Sequence, residues 1–254
     1  MKGASKNKRH RTVCGLVAVL SVVLGCGSVV YATESPSSQV ETPKQATLIV
    51  LTKIAAAGAS GHFDDAEQLF RQGKGAGLSE LQMYETVLNL LPYIGYPRTL
   101  STMIGFQKVY PDYIRERSGG KDPQSTEPWQ DYAGKVWGER GAQIQQQLGV
   151  GGAGAEEFTK QLTLLSPELT EWVRYDDFGR VFGRAGLSLI EREAIVMGVL
   201  IAQGAPQIAA HHRALLRVGG SEALIDALVE AVAGSVDEKA VAAARRYIAE
   251  VRKH

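Results

Sequence analysis

The chain has 254 residues, 44% of them hydrophobic and 22% charged, which is enough for one large domain or two small ones with a sizeable core. Five of its 28 Lys and Arg and none of its 27 Asp and Glu lie in residues 1–32, leaving 23 cations against 27 acids and a net charge of −4 beyond them. With no basic tract there, a nucleic-acid partner is not expected. Both cysteines, Cys14 and Cys26, also fall in that first segment, so the rest can form no disulfide, thiolate metal site or redox thiol pair.

Lys2, Lys6, Lys8, Arg9 and Arg11 precede an apolar run from Val13 to Ala32, and polar Thr33 to Ser38 follow it. This is the order of an export signal, with the body facing outside the cytoplasm because the positive end stays in. Three fates are open. Val30-Tyr31-Ala32 permits cleavage after Ala32. Val23-Leu24-Gly25-Cys26 is similar to a lipobox, which would make Cys26 a lipidated N-terminus. The run is also nearly long enough to remain as a membrane anchor. An exported, periplasmic or extracytoplasmic location is the expectation, with membrane contact only through this segment.

Residues 33–45 are Ser- and Pro-rich and read as a flexible leader. Residues 46–110 read as a first helical repeat. It has an apolar helix over 46–57 ending at Gly58 and a second helix over 63–74 with Asp64 and Asp65 near its start. A third helix is N-capped by Ser79, with Leu81, Tyr84, Val87, Leu88 and Leu91 at helical spacing. A corner follows at Pro92-Tyr93-Ile94-Gly95-Tyr96-Pro97, and a fourth helix runs from about Arg98 to Val109. Residues 111–155 read as a linker with an accessory helix over 131–147, and 156–254 as a second helical repeat. No segment shows the period-two alternation of a strand. The fold class is all-α, with two tandem diverged repeats.

The repeat rests on matched order. Ile54-Ala55-Ala56-Ala57-Gly58-Ala59 parallels Leu200-Ile201-Ala202-Gln203-Gly204-Ala205. A helix follows each, then Gly77-Leu78-Ser79-Glu80 or Gly219-Gly220-Ser221-Glu222, then another apolar helix. Gly58 should superpose on Gly204, and Gly77 on Gly220.

Two segments carry candidate chemistry. In the first, Ser188 is an N-cap with Glu191 at the capping-box position, and Glu193 follows near the apolar stripe. Alone, Glu193 reads as a solvated first-turn glutamate. In the second, Pro206 suits a first helical position, and Ile208, His212 and Leu215 share one face. His211 lies about 100° away beside the same stripe, and periodicity does not choose between the histidines.

The order Gly186-Leu187-Ser188-x-x-Glu191-Arg192-Glu193, an apolar helix, then His212-Arg213-Ala214-Leu215-Leu216 with Gly220 eight residues past the His resembles the carboxymuconolactone decarboxylase and alkylhydroperoxidase D family. Pro92 to Pro97 is similar to that family's Pro-Tyr-x-Gly-Phe-Pro corner. The resemblance covers about 46–110 and 170–252. It implies that Glu193 and His212 line an active site; because Gly204 turns the chain between their antiparallel helices, their side chains are expected within about 3 Å or one water of each other. It also implies a homo-oligomer, a trimer of two-unit chains.

The departures shape the expected chemistry. Ala205 and Ile208 stand where hydroperoxidase members carry Cys-x-x-Cys, so dithiol peroxide reduction is not expected. Leu69 stands where the first copy would carry its His, and Gly234 to Lys239 replace the corner in the second copy. A composite site, or one from the second copy alone, is left. A Glu/His pair without thiol or metal suits proton transfer next to a carbonyl. The implied function is cofactor-independent decarboxylation of a small cyclic or unsaturated carboxylic acid. His212 is the expected proton donor, Glu193 orients it, and Arg184 or Arg213 grips the substrate acid. Ile208, Leu215 and Met197 are the expected lining. No metal or other cofactor is called for. The rival is a non-catalytic exported member that binds a small molecule or a partner.

Overall fold

The computed structural model describes residues 43–113, 135–149, 160 and 163–253, and no strand occurs among them. Helix α1 (Gln45–Ser60) is an apolar, Ala-rich helix that ends where Gly61 takes φ 80 and returns its N–H to Ala57 and Gly58. Helix α2 (Phe63–Gly75) starts with Asp64 and Asp65 in its first turn, where carboxylates favour the helix dipole. Helix α3 (Glu80–Val109) opens with a reciprocal capping box between Ser79 and Gln82.

Helix α4 (Lys135–Leu148) and helix α5 (Pro167–Trp172) lead into a ten-residue π-helical stretch, Val173–Phe182. Ser166 caps α5, and Pro167 sits in its first turn, where a missing N–H costs no helical bond. The π-helical stretch lies against α4 at very close range. A side chain at Gly179 would collide with the Trp137 carbonyl, and one at Gly141 with that of Arg174. Helices α6 (Leu189–Gln203), α7 (Ile208–Arg217), α8 (Glu222–Ala233) and α9 (Glu238–Val251) complete the order.

The centre is α1 packed along α6. Every residue from Ile190 to Ile201 is buried, so α6 is enclosed on all sides rather than along one stripe. The two backbones nearly touch: a Cβ added at Gly198 would lie 2.3 Å from the Thr52 carbonyl oxygen. Thr52 Oγ1 donates to the Ala194 carbonyl across this contact at 3.0 Å. One core cluster gathers α6 to α9 with Leu48 and Ala56 of α1. A second joins the rest of α1 to α2, α3 and the Ile195–Val199 side of α6. Tyr93 and Ala202 border both clusters.

The helix order in 45–109 and 189–251 is alike, and the left-handed glycines correct the expected alignment. Gly61, not Gly58, ends α1, Gly204 ends α6, and Gly77 and Gly219 each take positive φ. Gly58 lies inside α1, where Thr102 and Leu90 leave no room for a side chain. The expected corner is a kink within α3: only Gly95 leaves helical geometry, at φ 67 and ψ 173, although Pro92 and Pro97 flank it. Pro206 precedes α7 and its N-cap Gln207. The export segment and Cys26 lie outside the described residues.

Candidate active site

Glu193 is fully buried on α6, not a solvated first-turn residue. Its Oε2 lies 2.8 Å from His211 Nδ1 on α7, and Oε1 has no hydrogen-bond partner among the described residues. Burial works against an imidazolium at His211. The Glu193 charge, its hydrogen bond and the Asp177 charge outweigh that and raise the His211 pKa. When protonated, His211 donates Nδ1–H to the Glu193 carboxylate.

Two further residues join the pair. Tyr93, beside the α3 kink, donates its hydroxyl to Asp177 Oδ2 at 3.2 Å and meets the His211 ring edge-on, with centroids 5.9 Å apart. Gln203 Nε2 donates to the Tyr93 carbonyl and ties that backbone to the end of α6. Asp177 comes from the π-helical stretch. Burial pushes its carboxyl up to about 7, with Glu193 and Asp176 adding to the rise while His211 and Tyr93 oppose it. Burial first, then the Asp177 and Glu193 charges, raises the Tyr93 hydroxyl well above its ordinary value.

The expected Glu193–His212 hydrogen bond does not form. His212 is fully buried with Ile208 and Leu215, as their shared face requires, and its Nε2 lies 2.8 Å from Glu222 Oε1. Glu222 also accepts from Arg252 Nε at 2.8 Å, and Arg252 donates to Asp226 at 2.9 Å. Burial disfavours the Glu222 carboxylate, but the His212 and Arg252 bonds hold its pKa below the usual value. His212 thus joins α7 to α8 and to the end of α9. Successive helical residues diverge by about 100°, which sends the two histidines to different carboxylates.

The other expected site residues have other partners. Arg184 is held bidentately by Glu85, with Nε to Oε2 at 3.0 Å and Nη2 to Oε1 at 2.9 Å. Buried Arg192 donates to the same carboxylate at 3.3 Å, to Asn89 Oδ1 at 3.2 Å and to the Arg184 carbonyl at 2.7 Å. Burial lowers Arg192 to about 10 against the pull of Glu85. Arg213 is exposed. Ile208, Leu215 and Met197 are fully buried members of the α6–α9 core. Among the described residues, no group of three or more His, Cys, Asp or Glu side chains could hold a metal ion.

Tyr93 was visible in the corner string, but Asp177 carried no sequence signal. It lies in a stretch whose hydrogen bonds do not follow the α-helical period. The four residues Tyr93, Asp177, Glu193 and His211 come together as a partly buried cluster of titratable groups on an all-α scaffold. Residues 167–250 match the model of the Carboxymuconolactone decarboxylase family. The match takes in Asp177, Glu193 and His211, while Tyr93 enters from the preceding half. No curated protein matches the chain.

Proposed function

We propose that the protein is a cofactor-independent acid–base catalyst that moves a proton between oxygen and carbon of a small enol or enolate, with Glu193 as base and His211 as acid. The observation that carries this reading is the part-buried 2.8 Å Glu193–His211 contact, with the other carboxylate oxygen buried and without a partner among the described residues. Such pairs contribute roughly 10²–10⁴-fold in rate when geometry and pKa match the step. Loss of carbon dioxide from a small cyclic or unsaturated acid, the reaction in the family's name, ends in the same protonation of an enol.

The test is a screen of small enols and enolisable acids by solvent-deuterium incorporation and carbon dioxide release. His211→Gln should abolish any activity found, and His212→Gln should retain it in the folded fraction. The second reading is a non-catalytic binding member. The basic start and apolar run in residues 1–32 favour it, since export would separate the protein from cytoplasmic catabolism. Export, assembly as a homo-oligomer and descent of 46–110 and 156–254 from one duplicated unit belong to the proposal. The like order of helices and left-handed glycines supports the duplication. Among the described residues no helix is long and apolar enough to cross a membrane.

A further inference from the structure

Glu193 Oε1 is the one carboxylate oxygen of the centre that is buried without a partner among the described residues. A buried acceptor in that position is satisfied by a donor that a ligand brings. The ligand's charge is constrained as well. At Asp177 one cation, His211, is set against two anions, Glu193 and Asp176. Arg184 and Arg192 both sit on Glu85, and Arg213 is exposed. Above pH 7, where Asp177 is also ionised, a carboxylate entering beside it and Glu193 would meet two like charges in a low-dielectric setting. A hydroxyl would meet the acceptor it needs. Access is past His211, whose side chain keeps 16% exposure.

Resting on the proton-transfer reading above, we propose that the ligand of this centre is a small uncharged enol, bound by its hydroxyl donating to Glu193 Oε1, and that free carboxylates are excluded. The step is then a tautomerisation. The enol O–H proton passes to Glu193, and the C=C electron pair takes a proton from the His211 imidazolium on carbon. The carbonyl forms without loss of atoms. Glu193 is left protonated and His211 neutral, and return of that one proton from Glu193 to His211, directly or through solvent at the exposed edge of His211, resets the pair.

Three ring compounds separate the alternatives: phenol, a stable enol; anisole, which lacks the donor; and benzoate, which carries the charge. The full-length chain is titrated with each while the His211 ring signals are followed by NMR. Phenol should shift those signals and bind at least about tenfold more tightly than anisole or benzoate, the scale of one hydrogen bond to a charged group. Glu193→Gln should erase the preference for phenol over anisole. Asp177→Asn, measured above pH 7 where it removes a charge, should improve benzoate binding relative to phenol. Benzoate binding as tightly as phenol, equal binding of all three, or no shift of His211 with any of them overturns the inference. Preference for benzoate would sink it while leaving proton transfer intact. A phenol preference without any tautomer exchange would instead sink the catalytic reading and keep the binding one.

Discussion

Gln82 and Glu191 each close the capping box of their own helix, and Gln82 Nε2 donates to Glu191 Oε1 across the gap at 2.7 Å. The remaining oxygen of each side chain is fixed by its box, Gln82 Oε1 by the Ser79 N–H and Glu191 Oε2 by the Ser188 N–H. The bridge therefore joins the starts of α3 and α6 with little further loss of side-chain freedom. Gln82→Ala and Glu191→Ala should each destabilise the fold, and the double variant should lose less than their sum by about 1 kcal/mol. Urea unfolding of all four proteins measures the coupling, and strict additivity would refute the bridge.

The Gly198–Thr52 contact sets how closely α1 and α6 approach. Gly198→Ala would place a methyl 2.3 Å from a backbone oxygen, so helix axes must part rather than a side chain rotate. The expected cost is about 1–3 kcal/mol, typical of overpacking. Gly75→Ala is the control, because its added Cβ meets nothing within 4 Å and alanine is the better helix former by about 1 kcal/mol. Thermal or urea unfolding should move the two variants in opposite directions.

The two histidines should separate function from stability. His212→Gln breaks the link from α7 to Glu222 and should lower the unfolding midpoint, with a loss of about 1–3 kcal/mol. His211→Gln should leave the midpoint closer to that of the parent and remove the titration that Glu193 shifts upward. Histidine NMR titrations and urea curves on both variants decide the matter. An unchanged midpoint for His212→Gln would show that its contact with Glu222 carries no stability.

Asp177 makes stability depend on pH. Its carboxyl is raised from 3.8 to about 7, so between those values the folded chain holds a proton that the unfolded chain has released. Stability from this group is therefore present at the acid end and lost as pH climbs toward 7. Asp177→Asn should flatten that decline. A further fall above pH 6.5, from the raised His211, should persist in weaker form because Asp177 supports that imidazolium. Unfolding midpoints of parent and variant across pH 4 to 8 provide the measurement, and parallel curves would contradict the assignment.

Much of the helical order is legible from local chemistry. Ser79 and Ser188 stand three residues before Gln82 and Glu191, and both boxes form. The site is less legible. Glu193 can be picked out by its place in the family motif, but its complete burial depends on α1 covering α6, a long-range contact. His211 and His212 are neighbours on one helix, and only the positions of α6 and α8 decide which carboxylate each one meets. Arg184 and Arg213 are cations of suitable sequence position. What removes Arg184 from the site is Glu85, some hundred residues earlier and itself buried.

The π-helical stretch makes the centre vulnerable to a change of length as well as a change of residue. Wide turns of this kind contain one residue more than an α-helical path between the same ends. Deleting a single residue between Gly179 and Phe182 would shift the helical register and rotate everything upstream by about 100°. Asp177 would leave Tyr93, and Gly179 or its replacement would no longer fit against Trp137. A lineage that lost one codon here would keep Glu193, His211 and Tyr93 intact yet present a different set of charges to the ligand. Length in 173–182 is therefore a specificity variable in its own right, one that an inventory of active-site residues would miss.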